Sequence, residues 1–452
     1  MNTPEKTPAM RPYFTATEKF ADGGDSPRAF LERCLASLED LEPEVGAFVV
    51  LGLEAARAAA DRSTRRWREG REISPIDGMP VGIKDIIETA DMPTQNGSPL
   101  FDGFRSDRDG ASVAALREAG AVIVGKTVTT EFASTEPRGT RNPLDTARTP
   151  GGSSSGSAAA VAMGAISAGI GTQVLGSILR PSSFCGCFGF KPTVGAINRG
   201  GSYDGLSQSV HGPIAAALPE AWRVAFEISR RAGGDPGYPG LYGQPEAPAA
   251  MKPDKLALVE TDGWEVATDG ARQALEEVIA RLRATGVAVA TRSEDDQVAA
   301  IETAIHGAKE LSISINTFES RWPLNTYKTR DAGKLSRHML ERSAAAETMT
   351  LDNYRRDIAV REELRGAWQK LVIEFDACIT LAAPGAAPLG IESTGDPVFN
   401  APASLLGIPA LSLPVLSDQG LPLGLQLMGF PHRDAALFAT AAWVMDLMSA
   451  PA

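Results

Sequence analysis

The chain has 452 residues, 43% of them hydrophobic and 22% charged, so it has ample material for a large core and is not a disordered chain. Its 44 Lys and Arg stand against 56 Asp and Glu, a formal net charge of -12 with no basic run long enough to follow a phosphate backbone, which excludes nucleic acid as a partner. Cys34, Cys185, Cys187 and Cys378 are too few for a disulfide framework, and two of them stand too close for an ordinary bridge; a reducing cytoplasm fits them best.

The opening MNTPEKTPAMRP is polar and lacks the apolar run of a secretory leader. Ser26 before Pro27 marks a helix start, and Phe30, Leu31, Cys34, Leu35 and Leu38 follow at the spacing of one helical face. The apolar run AFVVLG precedes LEAARAAADRSTRRW, which predicts an exposed helix. From Asp109, DGASVAALREAG predicts a capped helix ending at Gly120, and AVIV a short buried strand after it, a sequence of elements typical of an α/β layer.

SSSGSAAAVAMG predicts a close-packed helix and AISAGIG a strand. Residues 149–179 carry no charge, yet their Gly, Ser, Thr and Gln content is foreign to hydrocarbon, so the run reads as protein interior and no membrane association is expected. Residues 232–254, dense in Gly and Pro, predict a long connection. Residues 270–375 are helical in pattern, whereas CITLAAPGAAPLG and GIPALSLPVL read as buried strands that join the sheet begun near Ala121.

Two motifs are set aside on their context. Gly120 to Thr127 matches the phosphate-loop spacing, but such a loop needs its strand before the first glycine; here a helix precedes Gly120 and residues 121–124 are the strand, leading into an ordinary turn with a solvated Lys126. Gly152-Ser153-Ser154-Ser155-Gly156 matches the nucleophile elbow and would make Ser154 the attacking group of an α/β-hydrolase. The polar, proline-broken RNPLDTARTPG before it is no elbow strand, and only four histidines, His211, His306, His338 and His432, are available as partners. That esterase remains the runner-up.

A third pattern uses the whole region. PGGSSSGSAAAVAM, continuing into GIGTQVLGSILRPSSFCGCFGFKPT, closely resembles the signature of the amidase family, as do PVGIKDI around Lys84, LSQSVHGPIA near His211, and FNAPASLLGIPALSLPVL with GLPLGLQLMG far downstream. The resemblance implies a single α/β domain over residues 1–452, with a mixed central sheet flanked by helices. Within it, residues 80–215 would form the catalytic core, residues 232–375 a variable, mostly helical substrate side, and residues 376–452 the closing part of the core.

It further implies a hydrolase of carbonyl–nitrogen bonds, in an amide, carbamate or urethane, anilide or ester, that needs neither metal nor organic cofactor. Ser177 would attack, Ser153 would bridge after a cis peptide from Gly152, and Lys84 would be the base, with backbone N–H groups of Val174, Leu175, Gly176 and Ser177 as the oxyanion hole. Lys84 can accept a proton only when neutral, so its site should be dry and Asp85 should face away.

Where many members carry Asp, Gly and Arg, this chain has Gln173, Leu175 and Leu179, with Arg180 one place later; Gln173 and Arg180 are candidate substrate contacts, Arg180 for a carboxylate or else as an anchor to a nearby acid. Ser154 and Ser155 are expected to cap helix amides, His211 to be structural, and Cys185 and Cys187 to be core residues. The partner is a small-molecule substrate, a homo-oligomer is compatible with this, and the alternative is an amide-hydrolysing component of a transamidation complex.

Overall fold

The computed structural model describes residues 8–450; residues 1–7, part of the opening stretch read above as lacking a leader, lie outside them. The helix Pro27–Val45 starts as its sequence dictates: Ser26 Oγ accepts the N–H of Ala29 at 3.1 Å, Pro27 supplies the first turn, and Gly46 ends it in a left-handed conformation. Its Phe30, Leu31, Cys34, Leu35 and Leu38 are buried.

The strands are β1 (Phe48–Leu51), β2 (Pro80–Lys84), β3 (Val122–Thr127), β4 (Ala168–Gln173), β5 (Phe188–Lys191), β6 (Val210–Ala215), β7 (Lys255–Leu258), β8 (Ala288–Ala290), β9 (Ala377–Leu381), β10 (Ala410–Asp418) and β11 (Leu421–Met428). They form one 11-stranded sheet in the order β1-β3-β2-β4-β6-β5-β10-β11-β9-β7-β8. β2 runs parallel to both β3 and β4, whereas β4 meets β6, and β10 meets β5 and β11, antiparallel. The mixed, helix-flanked sheet expected from the sequence is therefore present, and the chargeless run at its centre is buried protein interior except at Val174, Leu175 and Ser177, which are half-buried.

That interior depends on small residues. Gly169 and Gly171, two apart on β4, present no side chain, and a Cβ added to them would lie 2.9 Å from Ser157 Cβ and 2.8 Å from Ser154 Oγ. The helix Ser155–Ala162 can therefore lie directly on the sheet, with all eight of its residues buried. On its other side a Cβ at Gly156 would stand 2.2 Å from the carbonyl of Ala47 and 2.4 Å from the amide of Val128.

Some local expectations are corrected. The helix after Asp109 spans Ala111–Glu118 with Gly110 at its N-cap and no side-chain cap; Asp109 instead accepts the N–H of Ala90 and pairs with Arg117. β3 does not stop at residue 124 but runs through Gly125 and Lys126, because both β1 and β2 hold it. Lys126 is accordingly not solvated: it is fully buried.

Backbone atoms cannot give way as a side-chain tip can. Gly156→Ala is expected to lower stability by about 1–3 kcal/mol, read as a lower denaturant midpoint. An unchanged midpoint would mean that the helix is free to retreat from the sheet.

Candidate active site

β2 and β4 are parallel neighbours, so their carboxyl ends lie at the same edge of the sheet, where α/β proteins commonly gather their chemistry. Lys84 ends β2 and Thr172 lies next to the end of β4. Lys84 Nζ lies 2.7 Å from Ser153 Oγ, 2.7 Å from Thr172 Oγ1 and 3.5 Å from the Thr172 carbonyl. The side chain is 0% exposed, and burial brings its pKa down to about 7, against a smaller upward pull from the Asp204 carboxylate.

Asp85, next in the chain, is equally buried but turned to other partners. Its carboxylate forms an ion pair with Lys126 at 3.0 Å and accepts the N–H of Gln95 at 3.1 Å. Lys126 also donates to the Pro93 carbonyl and to Thr94 Oγ1. Burial pushes the Asp85 carboxyl up and the Lys126 ammonium down, and the attraction between the two charges opposes both shifts.

The peptide between Gly152 and Ser153 is cis. The carbonyl of Gly152 accepts a hydrogen bond from Arg180 Nη2 at 2.7 Å, and that of Ser153 accepts one from Thr130 N at 3.3 Å. Arg180 also donates to Thr394 Oγ1 at 3.1 Å, so its anchor is a carbonyl and a hydroxyl and not an acid; its Nε and Nη1 are buried without a partner. Burial lowers its pKa to about 10, opposed by the charge of Asp396.

Ser154 and Ser155 do not cap helix amides. Ser154 Oγ exchanges hydrogen bonds with the backbone of Thr172, and Ser155 Oγ donates to the Val128 carbonyl, so both tie the helix start to neighbouring strands.

Ser177 lies in the turn between β4 and the helix Leu179–Cys185, half-buried, and among the described residues none hydrogen-bonds its hydroxyl. The backbone N–H groups of Val174, Leu175, Gly176 and Ser177 likewise have no partner among the described residues. Leu175 keeps a negative φ, so its bulk does not strain the turn. Gln173 is wholly buried, with its amide committed to the turn and to Ser404, and is not free to meet a ligand.

His211, opposite Thr172 in the β4–β6 register, shares a hydrogen bond of 2.9 Å with Ser112 Oγ. Burial and the charges of Arg199 and Lys84 lower its pKa to about 3, so the imidazole is neutral, while its Nε2 is buried without a partner. Cys185 and Cys187 are free core thiols. Sequence reasoning misses Thr172, Thr394 and Ser404; the only signals available are that Thr172 directly precedes Gln173 and that Ser404 falls in the downstream FNAPASLLG block.

Residues 29–438 match the family described as Amidase. The Glutamyl-tRNA(Gln) amidotransferase subunit of Chloroflexus aggregans is 35% identical over 446 residues, with 90% of each chain covered. The protein of the same name from Geobacter metallireducens is 33% identical, over 90% of this chain and 91% of its own. Among solved structures, one described as "Crystal structure of amidase" superposes with a TM-score of 0.82 at 27% identity, over 96% of this chain and 99% of the other. Native peptide amidase from Stenotrophomonas maltophilia gives 0.80 at 26% identity over 96% of each.

An unfolded lysine titrates near 10.4, well above the folded value of about 7 for Lys84. Between those pH values the unfolded chain binds the extra proton and the folded one does not, so this residue makes stability rise with pH across that window and leaves it flat below. Lys191, also buried with a pKa of about 7, adds a like slope. Lys84→Met is expected to reduce the slope between about pH 7 and pH 10, measured by urea unfolding, and a slope identical to wild type would show that Lys84 titrates normally in the folded state.

Proposed function

The chain belongs to the amidase family, and from that premise we propose that it hydrolyses the carbonyl–nitrogen bond of a small linear amide through an acyl-enzyme on Ser177, with Ser153 as bridge and Lys84 as base. The observation that carries the reading is the 2.7 Å contact of a fully buried Lys84 amine with Ser153 Oγ, with no carboxylate touching that amine among the described residues. A neutral amine has two N–H groups and one lone pair. The two oxygens of Thr172 can take the N–H groups, which leaves the lone pair for the proton of Ser153.

Ser177 Oγ attacks the carbonyl carbon while its proton passes to Ser153 Oγ and that of Ser153 to Lys84 Nζ. The negative oxygen that forms takes hydrogen bonds from among the free N–H groups of Val174, Leu175, Gly176 and Ser177. When the carbon–nitrogen bond breaks, the proton returns from Lys84 through Ser153 to the departing nitrogen. Water then attacks the acyl ester, loses its proton along the same relay, and Ser177 is released. A carbamate presents the same bond to the same groups, and four free thiols suit a cytoplasmic setting.

Arg180 supports a narrower choice of substrate. It is a buried cation within hydrogen-bonding distance of the Ser153 peptide, and two of its nitrogens lack partners, a state that a substrate carboxylate would relieve. A second reading has a specific basis: relatives 35% and 33% identical are named as subunits of an amidotransferase, so the chain would pass ammonia to a partner. Release of ammonia from simple amides by the purified chain alone supports the stand-alone hydrolase, and activity only with an added partner supports the other.

A fluorophosphonate is expected to label Ser177, and Ser177→Ala to abolish both labelling and hydrolysis. Lys84→Ala should slow hydrolysis by about 100- to 10,000-fold. An unlabelled wild-type Ser177 would refute the mechanism. For Arg180, Arg180→Gln is expected to lower kcat/KM by about 10-fold or more for amides that carry a free carboxylate, and by much less for neutral ones. Equal losses for both would remove the carboxylate site.

A further inference from the structure

Gln173 has a clear physical task that does not involve substrate. Its Oε1 accepts the N–H groups of Ile178 at 2.8 Å and Leu179 at 3.0 Å, the first amides of the helix that follows Ser177, which would otherwise lack partners. Its Nε2 donates to the Leu175 carbonyl at 3.0 Å and to Ser404 Oγ at 3.0 Å. Ser404 Oγ in turn donates to the same Leu175 carbonyl at 2.7 Å. One carbonyl in the middle of the turn is therefore gripped by two side chains that lie 231 residues apart in sequence.

A trans peptide is planar, with its C=O and N–H pointing in opposite directions. The peptide joining Leu175 to Gly176 is trans, so pinning the Leu175 oxygen toward Gln173 and Ser404 turns the Gly176 N–H to the opposite side, where no described residue takes it. Gly176 is packed on the segment that carries Ser404: a Cβ there would lie 2.5 Å from Asn400 Oδ1 and 3.0 Å from Pro397 Cβ. The turn thus has little freedom to rotate that peptide back.

Resting on the acyl-enzyme reading above, we propose that Gln173 and Ser404 are positioning residues that clamp the Leu175 carbonyl and thereby aim the Gly176 N–H at the oxygen on which negative charge develops. A donor held in place before the reaction costs nothing to reorient during it, and this preorganisation is what makes an oxyanion site effective.

The test is the second-order rate of Ser177 labelling by a fluorophosphonate, whose phosphoryl oxygen occupies the same donors, and it needs no knowledge of the natural substrate. Gln173→Met and Ser404→Ala are each expected to label about 10- to 100-fold more slowly than wild type. Ser404→Thr, which keeps the hydroxyl, should recover to near the wild-type rate, and the pH midpoint of labelling should stay at that of wild type because Lys84 is untouched. If Gln173→Met does not fold, Ser404→Ala and its Thr rescue decide the matter alone. Wild-type labelling with undiminished rates in the folded variants, or Ser404→Thr as slow as Ser404→Ala, would overturn the clamp and leave the acyl-enzyme reading standing. A wild-type chain that is never labelled would overturn that reading and the clamp with it.

Discussion

The arrangement turns on one amine kept out of water. Two unit charges about 4 Å apart at an effective dielectric near 20 attract by about 4 kcal/mol, which equals roughly three pKa units. A single carboxylate in contact with Lys84 would thus restore the proton that burial removes, and Asp85 is the very next residue. Its engagement by Lys126, on the neighbouring parallel strand, is what keeps the Lys84 amine apart from the acid next to it in sequence. The ion pair is fully buried, so it adds little to stability by itself. Its value lies in where it holds the negative charge.

The same economy of space governs the sheet. β4 offers hydrogens instead of side chains at Gly169 and Gly171, and the helix Ser155–Ala162 settles against it closely enough for Ser154 to bond the backbone of Thr172. That contact fixes the segment carrying Ser153 against the strand carrying Thr172, and Lys84 reaches both. Packing and site geometry are therefore not separable here: the spacing that fills the core is the spacing that brings amine and hydroxyl together.

Much of this is legible in the sequence. The motif blocks select Lys84 and Ser153, 69 residues apart, and the two side chains are hydrogen-bonded. The α/β class follows from helix-then-strand patterning. What escapes does so for physical reasons. β2, β5, β6 and β11 carry Gly or Pro in their interiors, which weakens any strand pattern, yet those glycines are sites of close approach, as at Gly212, where a Cβ would meet the Phe190 carbonyl at 2.1 Å. Lys126 reads as solvated because nothing local announces that its partner is Asp85. Gln173 reads as a ligand contact because an amide's partners depend on tertiary placement, here on Ser404 in a distant segment.

The wall formed by the helix Ser155–Ala162 has a bearing on how such a protein can change. Its residues are alanine, serine, glycine and a valine, all buried, and at Gly156 even one further carbon would collide with backbone, so that side of the molecule has no room in which to vary a side chain. A change at one of these positions therefore needs a matching shift in the strands that face it, which ties the helix and β4 together as one unit of variation.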